Sequence, residues 1–194
     1  MRYILLGLAL LVAGCDSREA PREPARDENP TSTAAQPNPQ PVEQIPGWRI
    51  FRGDRAMTGY VGDDIEGDLK LAWTFKTGEP VVSSAVIADG VAFIGSNNGS
   101  VYAIDMRSGQ QVWRFTCGSE DQPTEVEAPP LVLDDRLFVG STDGVMHALD
   151  RKTGEQAWTV KVEDKIVGSA NWYQTKDGRT LLLFGSYDAK MYAV

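Results

Sequence analysis

The chain has 194 residues, of which 42% are hydrophobic and 24% are charged, and its formal net charge at pH 7 is −8. This acidic balance argues against a nucleic-acid partner, because neutralising a phosphate backbone requires clustered Lys and Arg. With two cysteines and one histidine, the sequence offers no Cys/His set spaced for a metal and no Ser/His/Asp constellation, so we expect neither a metal site nor catalytic residues.

The N-terminal residues 1–15 have the pattern of a secretory leader. Met1–Tyr3 is a short basic start, and the apolar run Ile4–Val12 is too short to span a bilayer as a stable helix. The following residues, Val-Ala-Gly and Cys15, resemble a bacterial lipobox. That resemblance implies cleavage before Cys15 and acylation of its sulfur and new amine, which anchors durably because each buried CH₂ contributes about 0.8 kcal/mol. The alternative is an ordinary signal peptide with an incidental cysteine.

Residues 16–46 are expected to form a disordered, Pro-rich tether. They contain seven of the 11 prolines and almost no large apolar side chain, so they cannot bury enough surface to order themselves. The Asp directly after the lipidated position, Asp16, resembles the signal that retains enteric lipoproteins in the inner membrane. The sequence leaves the choice between inner and outer membrane open.

Gly47–Tyr60, GWRIFRGDRAMTGY, is here called the lead-in segment. It resembles the opening of bacterial PQQ-like repeat proteins, and we interpret it as a strand with local ion pairs. The alternative is a binding surface formed by Arg49, Arg52, Asp54 and Arg55. The apolar run Leu69–Phe75, which carries Trp73, predicts a strand.

The remaining sequence repeats with a period of 45 residues. GSNNGSVYAIDMRSGQQVW begins at Gly95, GSTDGVMHALDRKTGEQAW begins at Gly140, and GSYDAKMYAV begins a third copy at Gly185. In each copy an apolar run reaches Gly-Ser, and a turn leads to a second strand. The predicted strands include Val91–Ser96, Val101–Asp105, Leu137–Ser141 and Val145–Asp150. Four antiparallel strands in about 40–45 residues make one blade of a β-propeller.

One motif, Ala-x-Asp-x-x-Ser/Thr-Gly-x-x-x-Trp, occurs twice in register. Its positions are Ala103, Asp105, Gly109 and Trp113 in one copy, and Ala148, Asp150, Gly154 and Trp158 in the next. It resembles the tryptophan-docking motif of PQQ-type β-propellers, a family that includes quinoprotein dehydrogenases and the BamB lipoproteins. The resemblance implies an all-β propeller of four-stranded antiparallel blades, with about seven or eight blades in the family.

The same resemblance assigns a structural role to the motif. Each Trp is expected to stack on the Gly-containing turn of a neighbouring repeat, so Trp113 and Trp158 should be buried, whereas Trp48 lies outside the register. Trp73 lies 40 residues before Trp113, but no other strands of its blade precede it, and the sequence ends where the next motif Asp is due. We therefore expect an incomplete propeller of about three blades over residues 47–194, from a fragment or a truncated gene product.

Two reactive side chains receive structural interpretations. His147, the only histidine, falls where Tyr102 and Tyr192 fall in the other repeats, so we interpret it as a packing residue. Cys117 is the sole thiol left if Cys15 is lipidated, which leaves an intermolecular pairing or a chance loop thiol.

Other polar residues and loops are weaker candidates for binding. Asn97, Asn98 and Asn171 have amides suited to a ligand, although the first two lie at a turn, where Asn is favoured for its conformation. Insertions at Thr116–Pro123 and Gln174–Thr180 lengthen two connections, and loops on a rigid scaffold carry function. These loops are candidate variable surfaces, and the alternative is neutral variation in loop length.

The function we expect is a non-catalytic, membrane-anchored scaffold of the bacterial cell envelope. It would face the periplasm, hold to the membrane through Cys15 and bind an envelope protein. The quinoprotein relatives are expected to carry an adjacent Cys pair and Ca²⁺ ligands around PQQ, and since no Cys-Cys occurs here we expect no cofactor. The alternatives are the N-terminal part of a quinoprotein oxidoreductase and a sugar- or peptide-sensing domain.

Overall fold

The structure is a computed structural model that describes residues 47–60 and 67–194. Every regular element within these ranges is a β-strand, and the strands form three antiparallel sheets. The predicted leader, Cys15 and the tether lie outside the described residues. In the part of the chain that is described, no helix is long and apolar enough to cross a membrane.

Each sheet corresponds to one predicted blade. Blade 1 has the order β1-β2-β3-β4 and consists of β1 (Val86–Ala88), β2 (Val91–Gly95), β3 (Ser100–Asp105) and β4 (Gln111–Thr116). Blade 2 has the order β5-β6-β7-β8 and consists of β5 (Leu131–Leu133), β6 (Arg136–Gly140), β7 (Val145–Asp150) and β8 (Gln156–Lys161). Blade 3 has the order β11-β10-β9 and consists of β9 (Asn171–Gln174), β10 (Thr180–Gly185) and β11 (Met191–Ala193). The predicted all-β architecture of partial propeller blades is confirmed.

The two central strands of each blade are joined by the turn that the repeat predicts. In blade 1 the Ser96 N–H donates to the Ser100 carbonyl at 3.0 Å, and in blade 2 the Ser141 N–H donates to the Val145 carbonyl at 3.0 Å. The last turn residue, Gly99 or Gly144, has a φ of 82° or 78°. Glycine adopts this left-handed conformation without a Cβ clash, which explains its place in the repeat.

The hydrophobic core lies between neighbouring blades. One cluster joins the inner face of blade 1, including Phe93 and Trp113, to blade 2 residues such as Leu137 and Leu149. A second cluster joins blade 2 to blade 3 and takes in Ile50 of the lead-in segment. Because each cluster draws on two blades, neighbouring blades depend on each other for burial of apolar surface.

The lead-in segment bridges the first strands of all three blades. The carbonyl of Trp48 accepts a hydrogen bond from the N–H of Ile87 on β1, and that of Arg49 accepts one from Val132 on β5, both at 2.7 Å. At its far end, the carbonyl of Arg55 accepts a hydrogen bond of 3.4 Å from Asn171 on β9. The segment thus contacts the first strand of every blade.

The interpretation of the lead-in segment as a strand with local ion pairs is wrong. No strand forms there, and Arg52 and Gly53 have φ values of 63° and 83°, which turn the chain away from an extended path. Arg49 forms its ion pair with Asp89, 40 residues away, at 3.3 Å. Hydrogen bonds to β1 and β5 replace the sheet pairing that the sequence pattern suggested.

Candidate functional site

Trp113 connects blade 1 to blade 2. It lies on β4 opposite Ala103 of β3, and its side chain is only 8% exposed. Its indole Nε1 donates to the Arg151 carbonyl at 3.0 Å. The ring lies against Gly154, where an added Cβ atom would come within 2.8 Å of the ring carbon Cδ2. A glycine at this turn therefore makes room for the tryptophan of the preceding repeat.

Trp73 makes the equivalent contact with blade 1. Its Nε1 donates to the Met106 carbonyl at 2.9 Å, and a Cβ atom at Gly109 would lie 2.6 Å from its ring. The run Leu69–Phe75, however, belongs to no sheet among the described residues, so its assignment as a strand is wrong. Its tryptophan is docked although its backbone has no strand to pair with.

The motif aspartates shape the turns on which the rings rest. Asp105 accepts hydrogen bonds of 2.8 Å from both the backbone N–H and the hydroxyl of Ser108. Asp150 accepts from the N–H groups of Thr153 and Lys152 at 3.0 and 2.9 Å. These bonds, the backbone bonds of Ser108 and Thr153 first, hold the pKa of both carboxyls below its ordinary value. The charged carboxylate is the form that stabilises the turn.

Trp158 departs from the expected burial. It lies on β8 opposite Ala148 of β7, as Trp113 lies opposite Ala103. Its ring centre lies 5.6 Å from that of Phe138 in the same blade. Yet Trp158 is 40% exposed, so the expectation that it is buried is wrong. Among residues 47–60 and 67–194, no glycine turn lies against its ring.

Arg151 adds an ionic link between the blades that the sequence did not suggest. Its side chain is largely buried, and one guanidinium nitrogen lies 2.5 Å from Asp89 in the β1–β2 turn. Arg49 of the lead-in segment lies 3.3 Å from the same carboxylate. The hydrogen bond from Arg151, and then its charge, lower the pKa of Asp89. The repeat gave no signal for this link, because the equivalent residue in blade 1 is Met106.

His147 is buried in a packed polar site. Its Nδ1 lies 3.0 Å from Gln156 Oε1, its Nε2 lies 3.3 Å from Ser141 Oγ, and its ring packs edge-on 5.4 Å from Phe115. Tyr102 packs against Phe75 in the same way at 5.1 Å. The structure therefore places His147 where the repeat predicts a packing ring. Burial lowers its pKa, which favours the neutral imidazole.

We expect His147→Tyr to fold. In the third repeat, the Tyr192 hydroxyl donates to Asp188 at 2.5 Å, and Asp143 occupies the position of Asp188 in the second repeat. A tyrosine at 147 should form the same pair with Asp143, so at about pH 7.5 its free energy of unfolding should stay within about 1–3 kcal/mol of the wild type. Urea denaturation followed by circular dichroism measures this difference.

The same two proteins should respond differently to acid. The pKa of His147 is lower in the folded chain than its ordinary value of 6.5, so the unfolded chain binds the extra proton as the pH falls below 6.5. Wild-type stability should therefore drop between about pH 7 and pH 5 relative to that of the Tyr variant, which has no imidazole to protonate. A constant difference between the two proteins across this range would contradict the buried, neutral assignment.

Cys117 is a core residue and not a loop thiol. It follows β4 immediately and is fully buried in the cluster between blades 1 and 2. Burial, and then the charge of Asp143, raises the pKa of its thiol to about 12. A protonated thiol with no access to solvent is neither a nucleophile nor available for a disulfide between chains.

Two of the three candidate asparagines form side-chain hydrogen bonds within the fold. Asn98 donates to the Tyr102 hydroxyl at 2.6 Å and accepts from the Ser100 N–H at 2.9 Å. Asn171 donates to the lead-in segment, whereas the buried Oδ1 of Asn97 has no hydrogen-bond partner among the described residues. The insertion Gln174–Thr180 forms the exposed β9–β10 turn, as predicted.

A cavity of about 250 Å³ lies between the lead-in segment and β5. Three of the four charged lead-in residues, Arg49, Asp54 and Arg55, line it together with Trp172, whereas Arg52 does not. The guanidinium of Arg55 lies over the Trp172 ring at 4.3 Å from its centre, a cation–π contact. The binding surface that the sequence suggested as an alternative is thus partly present. Trp172 is the lining residue that the sequence did not suggest.

The fold and these contacts agree with a comparison of the sequence with protein families. The model of the family described as outer membrane protein assembly factor BamB matches residues 62–194, more than half of the chain. This chain belongs to the BamB family of PQQ-like β-propellers. No curated protein is significantly similar to it in sequence.

Solved structures show the fold that the BamB family shares. BamB from Moraxella catarrhalis is 24% identical, with a TM-score of 0.51, and the match covers 61% of this chain and 38% of that one. Quinohemoprotein alcohol dehydrogenase from Comamonas testosteroni is 20% identical, with a TM-score of 0.56, over 76% and 27%. A europium-containing methanol dehydrogenase is 18% identical, with a TM-score of 0.56, over 77% and 32%. The chain therefore spans well under half the length of these structures.

This BamB-family chain does not present the residue set expected of a quinoprotein. Its two cysteines are not adjacent in the sequence. Within the described ranges, no three His, Cys, Asp or Glu side chains are grouped closely enough to hold a metal ion. The described residues therefore do not fit a PQQ site with its cation.

Proposed function

We propose that this chain is a non-catalytic, membrane-anchored scaffold that assists protein assembly in the bacterial cell envelope. Its support is membership of a family described as an outer membrane protein assembly factor. One observation supports the non-catalytic part of this proposal: His147 and Cys117 are both buried in packing positions. A side chain that reaches neither solvent nor a substrate contributes rigidity and no chemistry.

The proposal includes a division of the chain into three parts. Residues 1–15 are the lipoprotein signal that ends at the acylated Cys15, residues 16–46 are the tether, and residues 47–194 are the partial propeller facing the periplasm. The lipobox pattern and the Pro-rich composition support the first two parts. We propose that the partner contact falls on the loops Thr116–Pro123 and Gln174–Thr180, of which residues 118–123 and 176–180 are exposed, because loops on a rigid scaffold carry function.

Cys15→Ser should abolish lipid anchoring of the chain. Acylation requires the thiol, so the variant should take up no radiolabelled palmitate and should appear in the soluble fraction or remain unprocessed. Cys117→Ser is the matched control, because it removes the other thiol at a buried site without touching the signal. Wild-type chain without palmitate, or a Cys15→Ser variant that is processed and still stays on the membrane, would refute the anchor.

The scaffold role is tested by depleting the chain in its own bacterium. Folded outer membrane proteins, detected by their heat-modifiable migration on gels, should decrease on depletion and recover with wild-type chain but not with the unanchored Cys15→Ser variant. Unchanged amounts of these proteins would contradict the proposal. PQQ-dependent dye reduction by the purified chain would instead favour the oxidoreductase alternative.

A further inference from the structure

The cavity between the lead-in segment and β5 is built from three separate parts of the chain. One wall is the lead-in segment from Gly47 to Arg55, the other is Leu131–Asp134, and Trp172 of β9 completes the lining. The first and last strands of the row, β1 and β11, contribute no lining residue. The cavity is therefore a property of the lead-in segment and of the two blades that it crosses.

Part of the lining is aliphatic and belongs to the core. Ile50, Leu131 and Val132 all line the cavity, and they are 4%, 1% and 3% exposed. The Val132 N–H donates to the Arg49 carbonyl at 2.7 Å, which fixes the two walls relative to each other. An apolar group that enters the cavity is removed from water against these side chains.

The rest of the lining carries charges of both signs. Arg49 and Arg55 are the cations, and Asp54 and Asp134 are the anions. Within the described residues no ion pair joins any two of these four side chains, and Arg49 pairs instead with Asp89 at 3.3 Å. Charges that face a cavity without neutralising each other favour a ligand of matching charge.

Asp54 is engaged in the turn of the lead-in segment. Its carboxylate accepts hydrogen bonds from the backbone N–H of Thr58 at 3.2 Å and from the Thr58 hydroxyl. Both carboxylate oxygens are thereby used by the fold. Arg55 and Asp134, which lie on opposite walls, are the remaining pair of opposite charges.

Arg55 is arranged to bind a carboxylate. Its guanidinium lies over the Trp172 ring at 4.3 Å from the ring centre, and its carbonyl is held by Asn171 at 3.4 Å. The contact with the ring occupies one flat face of the guanidinium and leaves the N–H groups at its edge free. Those groups match the two oxygens of a carboxylate in a bidentate pair.

Asp134 lies at a turn position that binds cations elsewhere in the fold. Its equivalent one repeat earlier is Asp89, and both residues have a left-handed φ, 51° and 49°. The Asp89 carboxylate contacts the guanidinium groups of both Arg49 and Arg151. A carboxylate at this turn therefore accepts more than one cation, and at Asp134 it does so beside the cavity.

We propose that this cavity binds a free aliphatic α-amino acid. The ligand carboxylate pairs with Arg55, its ammonium group pairs with Asp134, and its side chain packs on Ile50 and Leu131. The volume of about 250 Å³ lies below the range of about 300–1,000 Å³ typical of pockets for drug-sized ligands, which suits one amino acid. This binding does not depend on the scaffold role, since it is a property of the isolated chain.

Calorimetric titration of the full chain, purified in detergent, tests the ligand class. L-valine, L-leucine and L-isoleucine are the probes, and at least one should bind saturably. Its methyl ester lacks the carboxylate and its N-acetyl derivative lacks the ammonium group. Each should bind about 10–100-fold more weakly, the usual effect of losing a hydrogen bond to a charged group. No saturable binding of any probe, or equal binding of either derivative, would overturn the proposal.

Two variants assign each ligand charge to its residue. Arg55→Gln should weaken binding of the amino acid about 10–100-fold and should abolish discrimination against the methyl ester. Asp134→Asn should weaken it similarly and abolish discrimination against the N-acetyl derivative, while asparagine tolerates the left-handed φ at this turn. Circular dichroism confirms that each variant folds.

The neighbouring residues provide matched controls. Arg52→Gln and Asp135→Asn change the same kinds of side chain within the same two segments, but neither residue lines the cavity. Both controls should bind the amino acid as the wild type does and should keep both discriminations. Unchanged affinity in Arg55→Gln and Asp134→Asn, or equal losses in the controls, would overturn the proposal.

Discussion

Trp113→Ala is expected to lower the free energy of unfolding by about 3–5 kcal/mol, the usual cost of truncating a buried tryptophan. The ring is 8% exposed, packs 5.7 Å from Phe93 and covers the Gly154 turn of the next blade. Its removal also leaves the Arg151 carbonyl without its donor. Because ordinary domains have only about 5–15 kcal/mol of stability, the variant should be largely unfolded or aggregated.

Trp158→Ala is the matched control, since Trp158 holds the equivalent position on the next blade. It is 40% exposed and its ring packs on Phe138 of its own blade, so its loss should cost about 1–2 kcal/mol. The midpoint of urea denaturation reports both changes. Equal shifts for the two variants would show that the contact between blades adds nothing to the tryptophan's contribution.

Gly154→Ala should destabilise the chain by about 2–5 kcal/mol, through two separable effects. The φ of Gly154 is 77°, and an alanine held in the left-handed region costs about 1–2 kcal/mol. The new methyl group would also lie within 2.8 Å of the Trp113 ring, and overpacking of this kind costs about 1–3 kcal/mol. Thermal and urea unfolding should both detect the loss.

Gly178→Ala isolates the backbone effect from the steric one. Gly178 also has a left-handed φ, 85°, but nothing lies within 4 Å of an added Cβ. This variant should lose only the conformational part, about 1–2 kcal/mol. If Gly154→Ala costs no more than Gly178→Ala, the ring does not press on the turn and the docking geometry is wrong.

The repeat period predicted most of the fold. Register alone predicted the two central strands of blades 1 and 2, the turns at Gly99 and Gly144, and the ring position of His147. These features follow from local turn chemistry and alternation of burial, which the sequence displays directly. Sequence reasoning also paired Trp113 with a glycine turn through a family resemblance.

The predictions failed where the surroundings of a residue depend on segments that are distant in the sequence. Trp158 shares every motif residue with Trp113, but its exposure depends on whether a further turn covers it. Cys117 looks like part of a polar loop in TCGSEDQP, although the loop begins one residue after a buried core position. The lead-in segment contacts Asp89 and Asn171, which lie 40 and 116 residues away from their partners in the segment. No local sequence pattern predicts such contacts.

The path of the lead-in segment has a consequence for how the chain unfolds. A row of repeats that touch only their neighbours behaves like a one-dimensional array, and its ends fray independently. Here one N-terminal segment is bonded to Ile87, Val132 and Asn171, one residue in the first strand of each blade. Detaching the third blade also breaks its hydrogen bond to this segment, so we expect a single cooperative unfolding transition in place of stepwise fraying. The cost is kinetic, because a contact spanning 116 residues closes a long loop and slows folding.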